Sequence, residues 1–597
     1  MYPFFARVGQ ISLAASLLTL AACGGGDDSS QVSTQLACDE SITTGFKPDS
    51  LTSVLLIKAF KAGDPLLLSG TADASTPIAK ADVCVVKLLV GPGNPGSAAA
   101  PSTSPGIGIE VWLPSKAKWN NRIHVTGGGG WIGGPAASTT ALASIPYQLP
   151  FILPDAATIA TVEGAVSSFT DTGHTKASGD FAMNPDGTIS TTNWRDFSER
   201  AIHEQALKTK ALTKAYYGRE AQYAYWDGGS SSGRQGIKEA QANPADFDGI
   251  VVASPALNWT KLSTYLTYPH TVYQRDLGGT PLTAEQSTLV GRAAIDSCDM
   301  VGGQHLGYIL DPSACRYDPT KDASVLCTSA GGINSSAACL SVAQATAVNK
   351  IWYGITSDGS VPDPAADNGW AVEPTGKHKW YGIPRGTSFF NGMWGVAGPA
   401  LMGIGPDMVA LQLEDSSLAD PSFLNATGNG ADGWKDLTYG QLAGAFDRGV
   451  AMQTSFANIN TDSTDLGGWR SRGGKLLVWH GLNDDLIPVQ GTINYYNRVA
   501  SALGGFAAVQ DFFRLYLVPG QGHVPMNGAA NPAANPPLVQ HAQMYAALTD
   551  WVEKGIVPTS ITIASETPGR TGIVCPYPQK ITYVAGDLNQ AGSYACQ

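Results

Sequence analysis

From about Ile109 to Pro255, short apolar runs alternate with segments whose apolar residues recur at helical spacing. "GIGIEVWLP" and "RIHVTGGGG" have the β-branched, alternating character of strands. "NWRDFSERAIHEQALKTKALTKAYYG" carries apolar residues three and four apart and ends in glycine, which predicts a helix. After it, "AYW", "GRQGIKEAQANPADF" and "DGIVVASPA" read as strand, helix, strand. The alternation resumes at Lys475–Gly481, "KLLVWHG", and continues through the helical "GTINYYNRVASALG" to the strand "FRLYLVPG". Such alternation predicts a parallel α/β architecture. Between Asn258 and Gly474 it is lost, and four cysteines and several tryptophans stand among many Gly, Asp and Asn residues. That region reads as an insertion into the α/β core, in the position of a lid.

Length agrees with an enlarged domain: 597 residues, 43% of them hydrophobic, exceed one ordinary core. Only 14% of residues are charged, while Gly (69) and Pro (37) are plentiful, so a loop-rich globular chain is expected rather than a coiled coil or a disordered one. The net charge of −12, with no basic run, argues against nucleic acid as a partner.

Arg7 followed by the apolar run Ile11–Ala22 reads as an export signal, too short to span a bilayer stably. It ends in "LAAC", which resembles a lipoprotein signal with Cys23 as the lipidated residue, the alternative being a plain secretory signal with an incidental cysteine and a secreted protein; the polar stretch after it reads as a tether. The expected layout is therefore signal 1–22, tether 23–37, core 38–257, lid 258–474 and core 475–597. A lipid anchor at Cys23 would be the sole membrane attachment of an exported, envelope-bound protein. Without Cys23 eight cysteines remain, an even number suited to an oxidising compartment. Nearest-neighbour pairing gives Cys38–Cys84, Cys298–Cys315, Cys327–Cys339 and Cys575–Cys596. No zinc pattern is present.

Chemistry concentrates in "YWDGGSSSGRQG", Tyr225–Gly236, at a strand-to-helix junction. A nucleophile on such a turn needs small neighbours because the turn is strained and crowded. Spacing alone allows Ser231, at the centre of G-x-S-x-G, or Ser230 one residue earlier. Asp484 and Asp485 follow a strand in "LLVWHGLNDDLIP", and His523 lies in the post-strand loop "VPGQGH". The order Ser, Asp, His suits an α/β-hydrolase.

"DGGSSSGRQG", "HGLNDDLIP", "VPGQGH", the "GGGG" loop and "CPYPQ" together resemble the tannase/feruloyl esterase family over about Cys38–Cys596. The resemblance implies an α/β-hydrolase core with a large inserted lid, and a serine esterase of aromatic acids. It selects Ser230 as nucleophile, Asp484 as acid and His523 as base, with the backbone N–H groups of Ser231 and Gly130 as the oxyanion hole. The family's usual Cys before the nucleophile is Gly229 here, and its Cys after the histidine is Val524, so the disulfide joining them is absent as a pair. The family's calcium loop falls on Cys298–Cys315, where Asp299 and Asp311 are too few carboxylates, so no calcium and no other cofactor is expected.

The acyl pocket is expected in the aromatic-rich lid segment Lys379–Gly395, with Phe389, Phe390 and Trp394. Trp131 beside the glycine loop and Ile487 beyond the acid are placed with them. Arg385 is the candidate for a substrate carboxylate. A small aromatic ester, feruloyl or galloyl, is the expected partner. The alternatives are a terephthalate monoester, an aliphatic hydroxyacid oligomer, or a non-catalytic binding protein of the same fold.

Overall fold

In the computed structural model, which describes residues 35–91, 96–97, 100–101, 104–144, 155–370, 373–390 and 395–597, the apolar runs become the strands of a central sheet. These are β1 (Thr52–Phe60), β2 (Val83–Val90), β3 (Ile107–Pro114), β4 (Arg122–Thr126), β5 (Ser167–Thr170), β6 (Tyr223–Gly229), β7 (Gly249–Ala253), β8 (Lys475–Gly481) and β9 (Phe513–Val518). One part, in the order β1-β2-β3-β5, is antiparallel; the other, β9-β8-β7-β6-β4, is parallel. A bridge between Ile123 and Val166 joins the two parts beside β4. β7 and all but the first residue of β8 are buried, as strands covered on both faces must be, which explains their continuous apolar runs.

The helices that position the site are α1 (Ala201–Tyr217), α2 (Ser231–Ala242), α3 (Trp259–Asp276), α4 (Ile404–Leu413), α5 (Val489–Leu503) and α6 (His541–Lys554). α2 packs on β6 and β7, and α6 on β7 and β8. The fold is an α/β-hydrolase core. β7 and β8 are direct neighbours, with Gly249 opposite Lys475, so the chain from 258 to 474 leaves and re-enters the sheet at adjacent strands. α3 and α4 pack together inside this insertion, over one aromatic-rich hydrophobic core. Gln35–Gln597 forms one compact unit, so the inserted segment does not part from the core as a separate body.

Disulfides join Cys38–Cys84, Cys298–Cys315, Cys327–Cys339 and Cys575–Cys596, the nearest-neighbour pairing. The export signal, Cys23 and most of the tether lie outside the described residues. Among the described residues no helix is long and apolar enough to cross a membrane.

Candidate active site

β6 passes into α2 through Ser230, whose φ of 57° and ψ of −120° are strained for a residue with a side chain. The strain is held by two backbone bonds: Ser230 N–H donates to Ala253 O at 3.0 Å, and Ala256 N–H to Ser230 O at 2.9 Å. A Cβ on Gly228 would stand 2.6 Å from the Ser232 carbonyl oxygen, so that turn position admits only glycine without a shift. The three serines divide the work. Ser232 Oγ closes the turn, donating to Gly229 O and accepting from Gly229 N–H, both at 2.8 Å. Ser231 Oγ donates to Gly130 O at 3.0 Å and ties the glycine loop to the elbow. The Ser230 hydroxyl makes no hydrogen bond to the described residues and faces a cavity.

His523 and Asp484 meet behind that serine. Nδ1 of His523 lies 2.9 Å from Asp484 Oδ2. Asp484 is fully buried, and its other oxygen accepts from the backbone N–H groups of Leu486 (2.9 Å) and Ile487 (2.8 Å). Burial pushes its carboxyl up, but the His523 charge and the hydrogen bonds from His480 and His523 outweigh it, leaving the group well below the usual carboxylate range. Burial pulls His523 down, and the Asp484 charge and bond more than reverse this, so the imidazole lies above its ordinary value. Asp485 goes the other way: burial and the adjacent Asp484 charge push it up to about 7. The geometry thus places Asp484, not Asp485, against the histidine. Ser230 and His523 line one cavity without a direct hydrogen bond between them, a looseness common in unliganded sites.

A residue that motif reading missed completes the arrangement. His480, at the end of β8 and fully buried, donates from Nε2 to Asp484 Oδ2 at 3.0 Å and to Ile487 O at 3.1 Å. Its Nδ1 is 3.0 Å from Thr492 Oγ1 on α5. Asp484 therefore receives four donors, two imidazoles and two amides, which fixes its direction without the disulfide expected of relatives. Gly229 and Val524, the positions of that disulfide, both lie on the cavity wall.

The cavity holds about 560 Å³, a size suited to a small aromatic ligand. Gly130 lines it with φ of +58°, a conformation that glycine adopts without strain. Ser231 opens α2, so its N–H has no carbonyl one turn back to bond and remains a donor at the positive end of the helix. The two groups expected to form the oxyanion hole thus stand together on the wall beside Ser230.

The expected acyl contacts are placed differently. Ile487 lines the cavity. Trp131 does not: it is 2% exposed within an aromatic cluster, 5.0 Å from Trp259, which itself lines the cavity, so it supports the wall from behind. Phe389 is buried against Trp352, and Phe390 is 44% exposed to solvent, so neither reaches the cavity. Trp394 lies outside the described residues. Arg385 is spent on the carbonyls of Tyr317 (2.9 Å) and Asn368 (2.7 Å) and stacks over Trp352, away from the cavity. Instead α3 supplies Trp259, Leu262 and Leu266, and the start of α4 supplies Ile404. The helical apolar spacing of "WTKLSTYL" carried that signal, but spacing does not say which buried face meets a cavity.

In the Cys298–Cys315 loop the two carboxylates already have partners. The two oxygens of Asp299 are taken by His305 Nδ1 (2.5 Å) and Gly307 N–H (2.8 Å), and Asp311 pairs with Lys580 at 2.7 Å. His203 on α1, Glu239 on α2 and Asp246 just beyond it bring possible ligand atoms within 4.8 Å of one another, but none of them lines the cavity.

Residues 94–597 match the family model described as tannase and feruloyl esterase. A probable feruloyl esterase of Arthroderma benhamiae is 30% identical over 503 residues, 82% of each chain. A mono(2-hydroxyethyl) terephthalate hydrolase of Piscinibacter sakaiensis is 28% identical, covering 82% of this chain and 81% of its own. The solved structure of feruloyl esterase B from Aspergillus oryzae superposes over 94% of this chain and 99% of its own, with a TM-score of 0.68 at 23% identity. With the match spanning most of its length, this chain belongs to the tannase and feruloyl esterase family, and it is an esterase.

Proposed function

We propose that the protein is a serine hydrolase of carboxylic esters of aromatic acids, of hydroxycinnamoyl or galloyl type, working through an acyl-enzyme. One observation carries this reading: Ser230, strained on the elbow with its hydroxyl uncommitted, shares a cavity with an imidazole aligned by a buried carboxylate. His523 takes the Ser230 proton as the oxygen attacks the ester carbonyl. The N–H groups of Ser231 and Gly130 receive the oxyanion, each such donor being worth about 3–4 kcal/mol. The alkoxide leaves with the proton held by His523. Water, deprotonated by the same imidazole, then splits the acyl-enzyme into acid and free Ser230.

Among the described residues no lysine or arginine lines the cavity, which favours a neutral aromatic acyl group over a terephthalate monoester with its free carboxylate. The segment 258–474 acts as the lid in this reading, since α3 and α4 form one wall of the cavity. Four disulfide bonds suit an oxidising compartment and support export.

The test compares methyl ferulate, methyl gallate, a terephthalate monoester and an aliphatic hydroxyester on wild type, Ser230→Ala and Ser231→Ala. Ser230→Ala is expected to lose activity on the order of 10⁵-fold. Ser231→Ala, which frees only the Gly130 carbonyl, should lose roughly tenfold or less. An active Ser230→Ala protein, or a panel in which the aliphatic ester is fastest, would sink the proposal.

A further inference from the structure

A second carboxylate–imidazole pair faces the same cavity. His541 opens α6 and lines the cavity, and its Nδ1 lies 3.2 Å from Oδ1 of Asp227, on β6 just ahead of the elbow. The ring meets Trp479 edge-on, with centroids 4.6 Å apart, and its side chain is 11% exposed. Asp227 is 1% exposed and held from behind by charged neighbours. Its Oδ2 is 3.7 Å from His124 Nε2, His124 Nδ1 is 2.6 Å from Glu163, and Tyr545 donates to Glu163 at 3.0 Å. Despite its burial, Asp227 stays below its ordinary value through the adjacent imidazoles of His541, which is hydrogen-bonded to it, and His124, so it is a carboxylate that accepts the Nδ1–H. That bond fixes the ring and leaves Nε2 toward the cavity, where it makes no hydrogen bond to the described residues.

Three neighbouring polar side chains already have partners. Ser144 Oγ accepts from Ala156 N–H at 2.8 Å, Asp155 caps Thr158 at 2.7 Å, and Ser231 is bonded to Gly130. Polar atoms left open on a largely apolar wall are costly unless something polar meets them.

We propose that His541, oriented by Asp227, is a substrate-binding residue that accepts a hydrogen bond from a hydroxyl group of the ester. The inference deepens, and rests on, the esterase reading. The hydroxyl belongs either to the aromatic acid or to the alcohol, and two substrate pairs separate these sources: methyl 4-hydroxycinnamate against methyl cinnamate, and 2-hydroxyethyl benzoate against ethyl benzoate.

Binding is measured by calorimetry on Ser230→Ala protein, so that turnover does not intrude. The hydroxylated member of one pair should bind about tenfold tighter, the scale of a single well-made hydrogen bond. His541→Asn keeps an amide donor toward Asp227 and removes Nε2, so it should bring that ratio to about one. His541→Gln, which reaches the Nε2 position, should restore part of it. Asp227→Asn keeps the imidazole but loosens its orientation, and it should lower the same ratio if His541→Asn fails to fold. A ratio near one for both pairs in the parent, or a preference that survives His541→Asn or Asp227→Asn, overturns the proposal. Failure of the esterase reading is visible separately, as wild-type protein that turns over none of the four esters whatever its binding preference.

Discussion

The floor of the cavity and its inserted wall are built by different means. On the floor, each working atom is held by directed bonds: Asp484 by two amides and two imidazoles, Ser230 by backbone bonds across the elbow, Gly130 by the Ser231 hydroxyl. The wall from α3 and α4 is held by burial, with Leu262 3% and Leu266 6% exposed among aromatic neighbours. Directed bonds fail sharply when one partner is lost, whereas packed apolar surfaces tolerate exchange at similar volume. Floor substitutions should therefore act on turnover, and wall substitutions on which ester is accepted.

The largest break in that contrast should come from the adjacent acids. Asp484→Asn leaves the shape intact but removes the acceptor that orients His523, and should cut kcat by about 10⁴-fold. Asp485→Asn removes a group already pushed up to about 7 and should cost within about tenfold. The pH profile adds a sign. In the proposed mechanism turnover needs neutral His523, so activity should fall as pH drops through its pKa; because Asp484 raises that value, the acid limb in wild type should lie above pH ~6.5. Asp484→Asn should move the limb downward. Equal losses in the two variants, or a limb that stays put, would dissolve the distinction between the two carboxylates.

The same division sets what could be read from the chain. The elbow, the acid and the base each sit at a strand end in a turn whose spacing is dictated locally, so order and glycine placement expose them. The choice between Ser230 and Ser231 is not local: it depends on Ala253, Ala256 and Gly130, which end or follow other strands. His480 was hidden because "VWHG" reads as a buried strand, and its function exists only once Thr492 and Asp484 close around it. Trp131 and Phe389 show the converse error. Proximity to a motif, or aromatic richness, does not say whether a ring faces the cavity or the core behind it.

His480 offers a sharper and smaller test. His480→Ala removes one of the two imidazole donors and leaves Asp484 Oδ2 with His523 alone, so the carboxylate gains freedom to swing. A loss of roughly tenfold in kcat with little change in KM is expected, the scale of one buried charge-assisted bond. His480→Gln can still reach Asp484 from its amide nitrogen and should recover most of the loss, which a purely volumetric role for the ring would not produce. If Gln and Ala variants behave alike, or if KM carries the change, His480 is only filling space beneath β8.

The smallest expected effect lies on the wall, at Ile404. Its Cδ1 stands 3.1 Å from the position a Cβ would take on Gly130, so this side chain covers the glycine proposed for the oxyanion hole from the inserted side. It is half-buried, and truncation to alanine should cost less stability than the 2–5 kcal/mol typical of a fully buried isoleucine. Removing it opens space next to the reacting carbonyl without touching a hydrogen bond. Ile404→Ala should raise KM for methyl ferulate roughly three- to tenfold, and should raise it less for a p-nitrophenyl acetate too small to use that surface. Measuring kcat and KM for both esters separates the cases. A shared fall in kcat for both esters would mean that the wall also positions the oxyanion loop, and the separation between a bonded floor and a packed wall would fail at the point where the two meet.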